Sequence, residues 1–244
     1  MYSEKKILFG QKYPAKNYLG ITEGENKMKD EKISNYVKLC EDWADKFMKM
    51  DQENLRKRVP ELKEENGFLT LIHFGRKYGI SLNDGSICSM DGQQEPDTTE
   101  MLNIYTLLGY AKEGAFFMNK WVPFADLRNA RPFAPAYKIG ETDVFGATFS
   151  GHEKELREAF CKLGGKELPQ GDVGYEIRAF ECMPMRFFFW ERDEEFEAQG
   201  NILFDYSATD FNHVESAVSI ADVGIKRLAE LAGLPVRGKS FQMK

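Results

Sequence analysis

His213 stands eight residues after Asp205, three after Asp210 and two before Glu215. A histidine among carboxylates is the residue mix of a metal site or of an acid–base pair. Asp205, His213 and Glu215 are therefore candidate metal ligands. Asp193 and Glu194 would join them if the chain is a metal-dependent enzyme. The same residues carry a structural reading. Glu215 falls at the third position of a helix starting near Asn212, where a carboxylate favours the helix dipole and closes a capping box.

A second acidic string, Glu191-Arg192-Asp193-Glu194-Glu195-Phe196-Glu197, follows an apolar run. Carboxylates at this density could bind a hard cation, which wants several oxygen ligands. The string lacks the spacing of an EF-hand loop. It could equally meet a basic partner surface, or be a solvated turn that keeps hydrophobic strands from aggregating. Between residues 119 and 140, Arg128 and Arg131 are flanked by Trp121, Phe124 and Phe133. Guanidinium groups among aromatic rings can wall a pocket for an anionic or aromatic ligand, or the rings pack on the core with the arginines in water. The candidate ligand- or partner-binding residues are thus Trp121, Phe124, Arg128, Arg131, Asp193, Glu194 and Glu195.

Other chemistry is thinly represented. Gly164-Gly165 precedes Lys166 without phosphate-loop spacing, and neither a dinucleotide-binding glycine pattern after a strand nor a serine elbow is present. Cys40, Cys88, Cys161 and Cys182 are far apart with no C-x-x-C pair, which argues for reduced structural thiols rather than a local zinc or iron–sulfur site. His73 lies in a strand pattern and reads as a core or edge residue; His152 falls in the first turn of a helix.

The acidic residues are unevenly placed. Of 244 residues, 33 are basic and 39 acidic, for a net charge of −6. Residues 191–215 hold eight acids and one base, a local −7, so the rest of the chain sums to +1. This balance argues against a nucleic-acid binder. With 42% hydrophobic and 13% aromatic residues the chain can build a core and is not disordered. No stretch reaches the roughly 18 apolar residues of a membrane helix, and the N-terminus lacks a signal-peptide core. A cytoplasmic protein is the expectation, with neither membrane nor nucleic acid among its partners.

The elements that must position these residues follow from periodicity. Residues 1–26 read as an extended arm and 27–244 as one α+β domain, an antiparallel or mixed sheet packed with about four helices. Ile33, Tyr36, Leu39, Trp43, Phe47 and Met50 recur at helical spacing, and Pro60 ends that helix or the turn after it. Strands are expected at 68–74, 77–82 and 86–88, broken by Gly75 and Asn83-Asp84-Gly85. Asp97-x-x-Glu100 opens a helix that is apolar nearly all round. Three prolines exclude a regular helix from 119 to 140. Ser150-x-x-Glu153 opens another helix, ending at Gly164-Gly165. Strands follow at 173–180, 185–190 and 201–205. A last helix, from Asn212, stops at Gly233 and Pro235.

Several strings in this frame resemble a bacterial family catalogued as domain of unknown function 3786. They are Lys162-Leu-Gly-Gly165, Gly171-Asp172, Trp190-x-x-Asp-Glu-Glu-Phe196, Ile202-Leu-Phe-Asp205 and Glu215. Upstream, Trp121-Val-Pro-Phe-Ala-Asp-Leu127 after an apolar helix is also similar to the family's pattern. The resemblance spans roughly residues 30–232. The family has no established activity, so it implies no catalytic residues and leaves the cofactor unknown. Some relatives carry the domain behind a four-cysteine iron–sulfur segment like that of corrinoid iron–sulfur proteins, which implies a role near corrinoid or one-carbon metabolism. This chain has no cysteine before Cys40 to hold such a cluster, and it has Asn129-Ala130 where family members often show glycines. The expectation is a binding or accessory protein that engages a protein partner or a small cofactor-like ligand. A metal-dependent enzyme is the alternative, and a structural protein with a solubilising acidic loop is another.

Overall fold

Short runs of alternating residues, broken by glycine-bearing turns, build the first of two sheets. A computed structural model describes residues 23–92 and 94–238, so the expected arm lies, through residue 22, outside the described residues. The chain divides into two compact units, residues 1–38 and 39–244. The boundary falls within helix α1 (Glu23–Phe47), and every other element belongs to the larger unit. There α1 ends, and a separate short helix α2 (Gln52–Arg58) starts on the side chain of Asp51, which accepts from the backbone of Glu53 and Asn54. Val59-Pro60 follows it.

The first sheet is an antiparallel meander of β1 (Lys63–Glu65), β2 (Phe68–His73), β3 (Arg76–Ser81) and β4 (Ile87–Ser89). Strand β1 is charged and has no hydrophobic alternation, so nothing in its sequence marks it; pairing with β2 alone makes it a strand. The β2–β3 turn is two residues long, with His73 opposite Arg76. Both central residues, Phe74 (φ 43°) and Gly75 (φ 77°), have positive φ, the geometry that matches the twist of a tight hairpin. Glycine adopts it freely; Phe74 does so only under restraint.

The second sheet is also antiparallel, in the order β5 (Trp121–Pro123), β9 (Gln199–Asp205), β8 (Met183–Trp190), β7 (Val173–Phe180), β6 (Lys166–Glu167). A bulge between Arg178 and Phe180 interrupts the β7–β8 register. It frees the carbonyl of Ala179, which accepts from Phe74 N (2.9 Å) and lies 2.9 Å from His73 Nδ1. The bulge is the seam between the two sheets. His73 is fully enclosed there, stacked on Phe180 at 4.2 Å, and burial pushes its pKa down to about 3. It is a neutral core residue.

Helices cover one face of the second sheet. Helix α3 (Thr98–Tyr110) has the expected capping box, with Asp97 and Glu100 each accepting from the other's backbone. A tight helical turn at Arg131–Phe133, α4 (Ala134–Tyr137) and a π-helical turn (Lys138–Thr142) lead into α5 (Asp143–Phe149), a helix the sequence reading did not anticipate. Helix α6 (Glu153–Lys162) is not capped by Ser150. The Ser150 hydroxyl donates instead to Glu191 at 3.0 Å, and Gly151, at φ 78°, turns the chain so that His152 takes the cap position. The short α7 (Ala208–Phe211) precedes α8 (Val214–Ala232). Here too the cap falls later than expected, by one residue: His213, not Asn212, and Gly233 closes the helix in the left-handed conformation.

Helix α8 packs against α3, α5, α6, α7 and the π-turn. Gly224 lets it come close, since a Cβ there would stand 2.8 Å from the Phe74 ring. One turn on, Arg227 is 4% exposed. It donates to Glu100 Oε1 (2.6 Å) and to the Phe74 carbonyl (3.2 Å), and Tyr78 donates to the same Glu100 oxygen (2.7 Å). Removing one partner of a buried ion pair strands the other charge. Arg227→Met is therefore expected to lower unfolding free energy by about 3–5 kcal/mol in denaturant titrations. Adding Glu100→Gln should recover part of the loss.

Candidate functional site

Of the sequence-marked residues, strand register places Trp121 on the face of the second sheet opposite its phenylalanine-rich side. Strand pairing fixes the sides. Phe187, Phe189, Tyr175, Ile177, Ile202 and Phe204 share the helix-covered face. Arg186, Phe188 and Trp190 on β8 share the other face with Glu176 on β7, Leu203, Asn201 and Gln199 on β9, and Trp121 and Pro123 on β5.

At one end of this outer face, Trp121 lies with the Arg186 guanidinium 4.0 Å from its ring centre, and Phe117 meets it edge-on at 5.8 Å. Arg186 is held from behind by Glu176 at 2.9 Å. Phe116, Phe117 and Met118 beside it are exposed, Phe116 to 64%. At the other end, β8 finishes at Trp190 (39% exposed), and the acidic turn carries Phe196 at 61% exposure. Trp121 pairs with Asp205 and Trp190 with Gln199, so six residues of β9 separate the two ends. At about 3.3 Å per residue that is ~20 Å. Trp121 and Trp190 thus share a sheet face, at its opposite ends, and the acidic block lies in the connection beyond Trp190, tied through Glu191 to Ser150 and Gly151.

Within the acidic turn the carboxylates divide by task. Glu191 accepts from Ser150 Oγ, Gly151 N (2.6 Å) and Arg192 N (2.9 Å). Burial works against its charge, but these donors win and lower its pKa. Asp193 accepts from the backbone of Glu195 (2.8 Å) and Phe196 (2.7 Å), which shapes the turn and lowers its own pKa. Glu194, Glu195 and Glu197 are exposed and make no hydrogen bond or ion pair through their side chains among the described residues. Their charge is free to meet something else.

The other expected residues are dispersed. Phe124 is a core ring, stacked on Tyr137 at 4.3 Å. Arg128 pairs with Asp210 (2.5 Å), which Lys112 also engages (2.7 Å). Burial disfavours the Asp210 charge, but the two cations outweigh it and hold its pKa low. Arg131 is exposed at the start of its tight helical turn. Asp205 accepts from Met118 N (3.0 Å), Lys120 N (2.8 Å), Ser207 N (3.0 Å) and the Ser207 hydroxyl. Three of these donors meet Oδ1 and one meets Oδ2, so Asp205 ties down the entry to β5. His213 Nδ1 accepts from Glu215 N at 3.3 Å as the cap of α8. His213 and Glu215 meet each other, with Nδ1 3.8 Å from the Glu215 carboxylate, while Asp205 is engaged elsewhere. Among the described residues no group of three or more His, Cys, Asp or Glu side chains is placed to hold a metal ion.

Two features were missed in the sequence. Gly233-Leu-Pro-Val-Arg-Gly238-Lys239-Ser240 has the spacing of a phosphate-binding loop. That loop needs a strand before it, whereas Gly233 terminates α8, and Lys239 and Ser240 lie outside the described residues. Residues 234–238 instead run beside α5, where Arg237 N donates to Thr148 Oγ1 at 3.0 Å.

The second is Glu141, in the π-turn and 1% exposed. Both its carboxyl oxygens and the hydroxyl of Tyr137, one helical turn earlier, are buried with no hydrogen-bond partner among the described residues. Burial, reinforced by Asp222 and opposed by Lys226, raises the Glu141 pKa to about 9. Asp222 and Lys226 pair on α8 at 2.5 Å. The only sequence-level signal is a Tyr–Glu pair at four-residue spacing beside a glycine, which is too common to single out.

These observations define an α+β protein of two antiparallel sheets, with exposed aromatic residues toward both ends of the second. The chain belongs to the family described as Domain of unknown function (DUF3786), whose model matches residues 53–227. No curated protein and no solved structure matches it. Among the described residues no helix is long and apolar enough to cross a membrane.

A carboxyl group whose native pKa is raised keeps a proton that the unfolded chain releases, so stability falls as pH rises from the unfolded value toward the native one. For Glu141 that window runs from the ordinary carboxyl value of 4.5 to about 9. Glu141→Gln, which mimics the protonated acid, should match the parent near pH 4.5. Across the window it should gain on the parent by up to about 1.4 kcal/mol per pH unit. Denaturant melts at several pH values measure this, and parallel curves would contradict it.

Proposed function

We propose that the protein is a binding or accessory module whose contact surface is the outer face of the second sheet, and that its partner is a protein presenting basic and apolar side chains. The observation that carries this reading is the exposure of Phe116, Phe117 and Met118 at one end and of Trp190 and Phe196 at the other. Exposed clusters of large apolar side chains mark interaction surfaces, and here there are two, one beside Trp121 and one at Trp190 and Phe196. Aromatic residues and arginine dominate the energetics of such surfaces, and the Trp121–Arg186 stack supplies both. The unpaired carboxylates of Glu194, Glu195 and Glu197 would steer a basic partner toward the Trp190–Phe196 end. A small cofactor-like ligand held at the Trp121 end is the alternative occupant. The family resemblance suggests that the module works beside corrinoid or one-carbon metabolism.

The metal-dependent reading is less favoured because Asp205 and His213 are already committed to backbone donors. A photo-crosslinking residue at position 196 is expected to give a discrete adduct in native extract. The same residue at Lys57, exposed on α2, should give none. Trp190→Ser combined with Phe196→Ser should abolish capture by tagged protein while the unfolding midpoint stays unchanged. Equal adducts at both positions, or capture that survives the double substitution, would overturn the assignment.

A further inference from the structure

The two exposed aromatic clusters differ in charge. Beside Trp121, the side chains of Phe116, Phe117 and Met118 are exposed, with Phe117 edge-on to the Trp121 ring at 5.8 Å. Residues 112–131, which carry this cluster, hold four basic and two acidic side chains. Lys120, next to Trp121, is exposed with its Nζ 4.2 Å from the Tyr206 ring centre, and it pairs with no carboxylate among the described residues. Lys112 and Arg128 share the single carboxylate of Asp210, which leaves one of their charges uncompensated. Asp205, buried beneath the segment, is occupied by its four donors. At the other end, residues 191–197 hold five acidic side chains and one basic. Trp190 and Phe196 are the exposed rings there, and Glu194, Glu195 and Glu197 are the carboxylates left unpaired among the described residues.

Each end therefore complements the other. Rings with lysine and arginine beside them suit rings with carboxylates beside them, through ion pairs and cation–π contacts. The two ends of one chain do not meet. They are set about 20 Å apart along β9, well beyond the roughly 8 Å over which charges act at physiological salt. Like ends of two copies repel, because carboxylates would face carboxylates or cations would face cations. The favourable contact joins unlike ends of different copies, the heterologous arrangement that adds copies head to tail.

We propose that the basic, apolar partner of the Trp190–Phe196 end is a second copy of this chain, presenting its Trp121 end. This inference rests on the reading of the two clusters as contact surfaces and names their occupant. Each contact consumes one acidic end and one basic end. A pair of chains keeps one of each free, so growth continues until a ring closes or a filament forms.

The test is sedimentation velocity on the purified full chain. Its weight-average mass should rise with protein concentration at about 0.1 M salt, and association should weaken about tenfold at about 1 M, where screening shortens to about 3 Å. Two variants block one end each. Trp190→Ser with Phe196→Ser blocks the acidic end, and Phe116→Ser with Lys120→Glu blocks the basic end. Each alone should sediment as a single chain. Mixed, they should form a one-to-one dimer and nothing larger, because one intact end of each kind remains. A photo-crosslinking residue in place of Phe196 in the purified chain should attach to residues 112–121 of a second copy, a readout that stays decisive if a variant folds poorly. A parent chain that remains single at every concentration, folded variants that do not combine, or an adduct outside that segment would overturn the proposal. If the purified chain stays single while position 196 still captures a partner from extract, this inference falls and the contact surface stands. If neither occurs, both fall.

Discussion

Arg227 reaches from the middle of α8 into the angle between the two sheets, and the fold depends on what it finds there. Its guanidinium meets Glu100 from α3 and the carbonyl of Phe74 from the β2–β3 turn. Tyr78 of β3 donates to the same carboxylate. A buried ion pair gives little net stability against well-packed apolar residues, but it is intolerant of misplacement, because each charge left alone is costly. Its value is positional. Phe74 sits at φ 43°, and Arg227 on its carbonyl together with Ala179 on its N–H hold it there. The tight hairpin, the bulge in β7 and the docking of α8 are thereby one linked constraint.

That linkage leaves the second sheet two unlike faces. The bulge brings β7 to the first sheet, and α8, with α5 and α6, closes over the phenylalanine-rich side. Phe145, Phe160, Phe187 and Phe189 interlock there in edge-on and tilted contacts between 5.6 and 6.1 Å. No such cover exists on the other side among the described helices of the larger unit. Arg186, with Trp121 on it and Glu176 beside it, is a polar residue in the middle of an otherwise apolar strand.

What the sequence revealed followed from strength of signal. Helix and strand types were legible wherever a period ran long enough, as in β2, β3, β7, β8 and α8. The Asp97 capping box was legible because its two members depend only on each other. The Ser150 pattern failed because Glu191, forty-one residues away in sequence, competes for the hydroxyl. No local rule contains that competitor. Strands β1, β5 and β6 span two or three residues and exist through pairing alone. Phe124 and Arg128 could read as a pocket wall or as a core ring and a solvated guanidinium, and in this irregular segment the surroundings decide: the ring enters the core and the guanidinium pairs with Asp210. Glu141 was illegible for the same reason, since its burial is set by a π-turn that propensity does not encode.

The acidic block is best judged by where its charge falls in the sheet. A block whose purpose was to keep strand edges apart would lie on an edge strand, and the edges here are β5 and β6. The block instead closes the β8–β9 connection, between two strands that are interior to the sheet. Two of its acids, Glu191 and Asp193, are consumed in shaping that connection. The remainder surround an exposed phenylalanine, an arrangement that solvation alone does not favour, since every exposed aromatic works against solubility. Carboxylates around a ring do suit a surface that must stay soluble alone and still accept a basic, apolar partner.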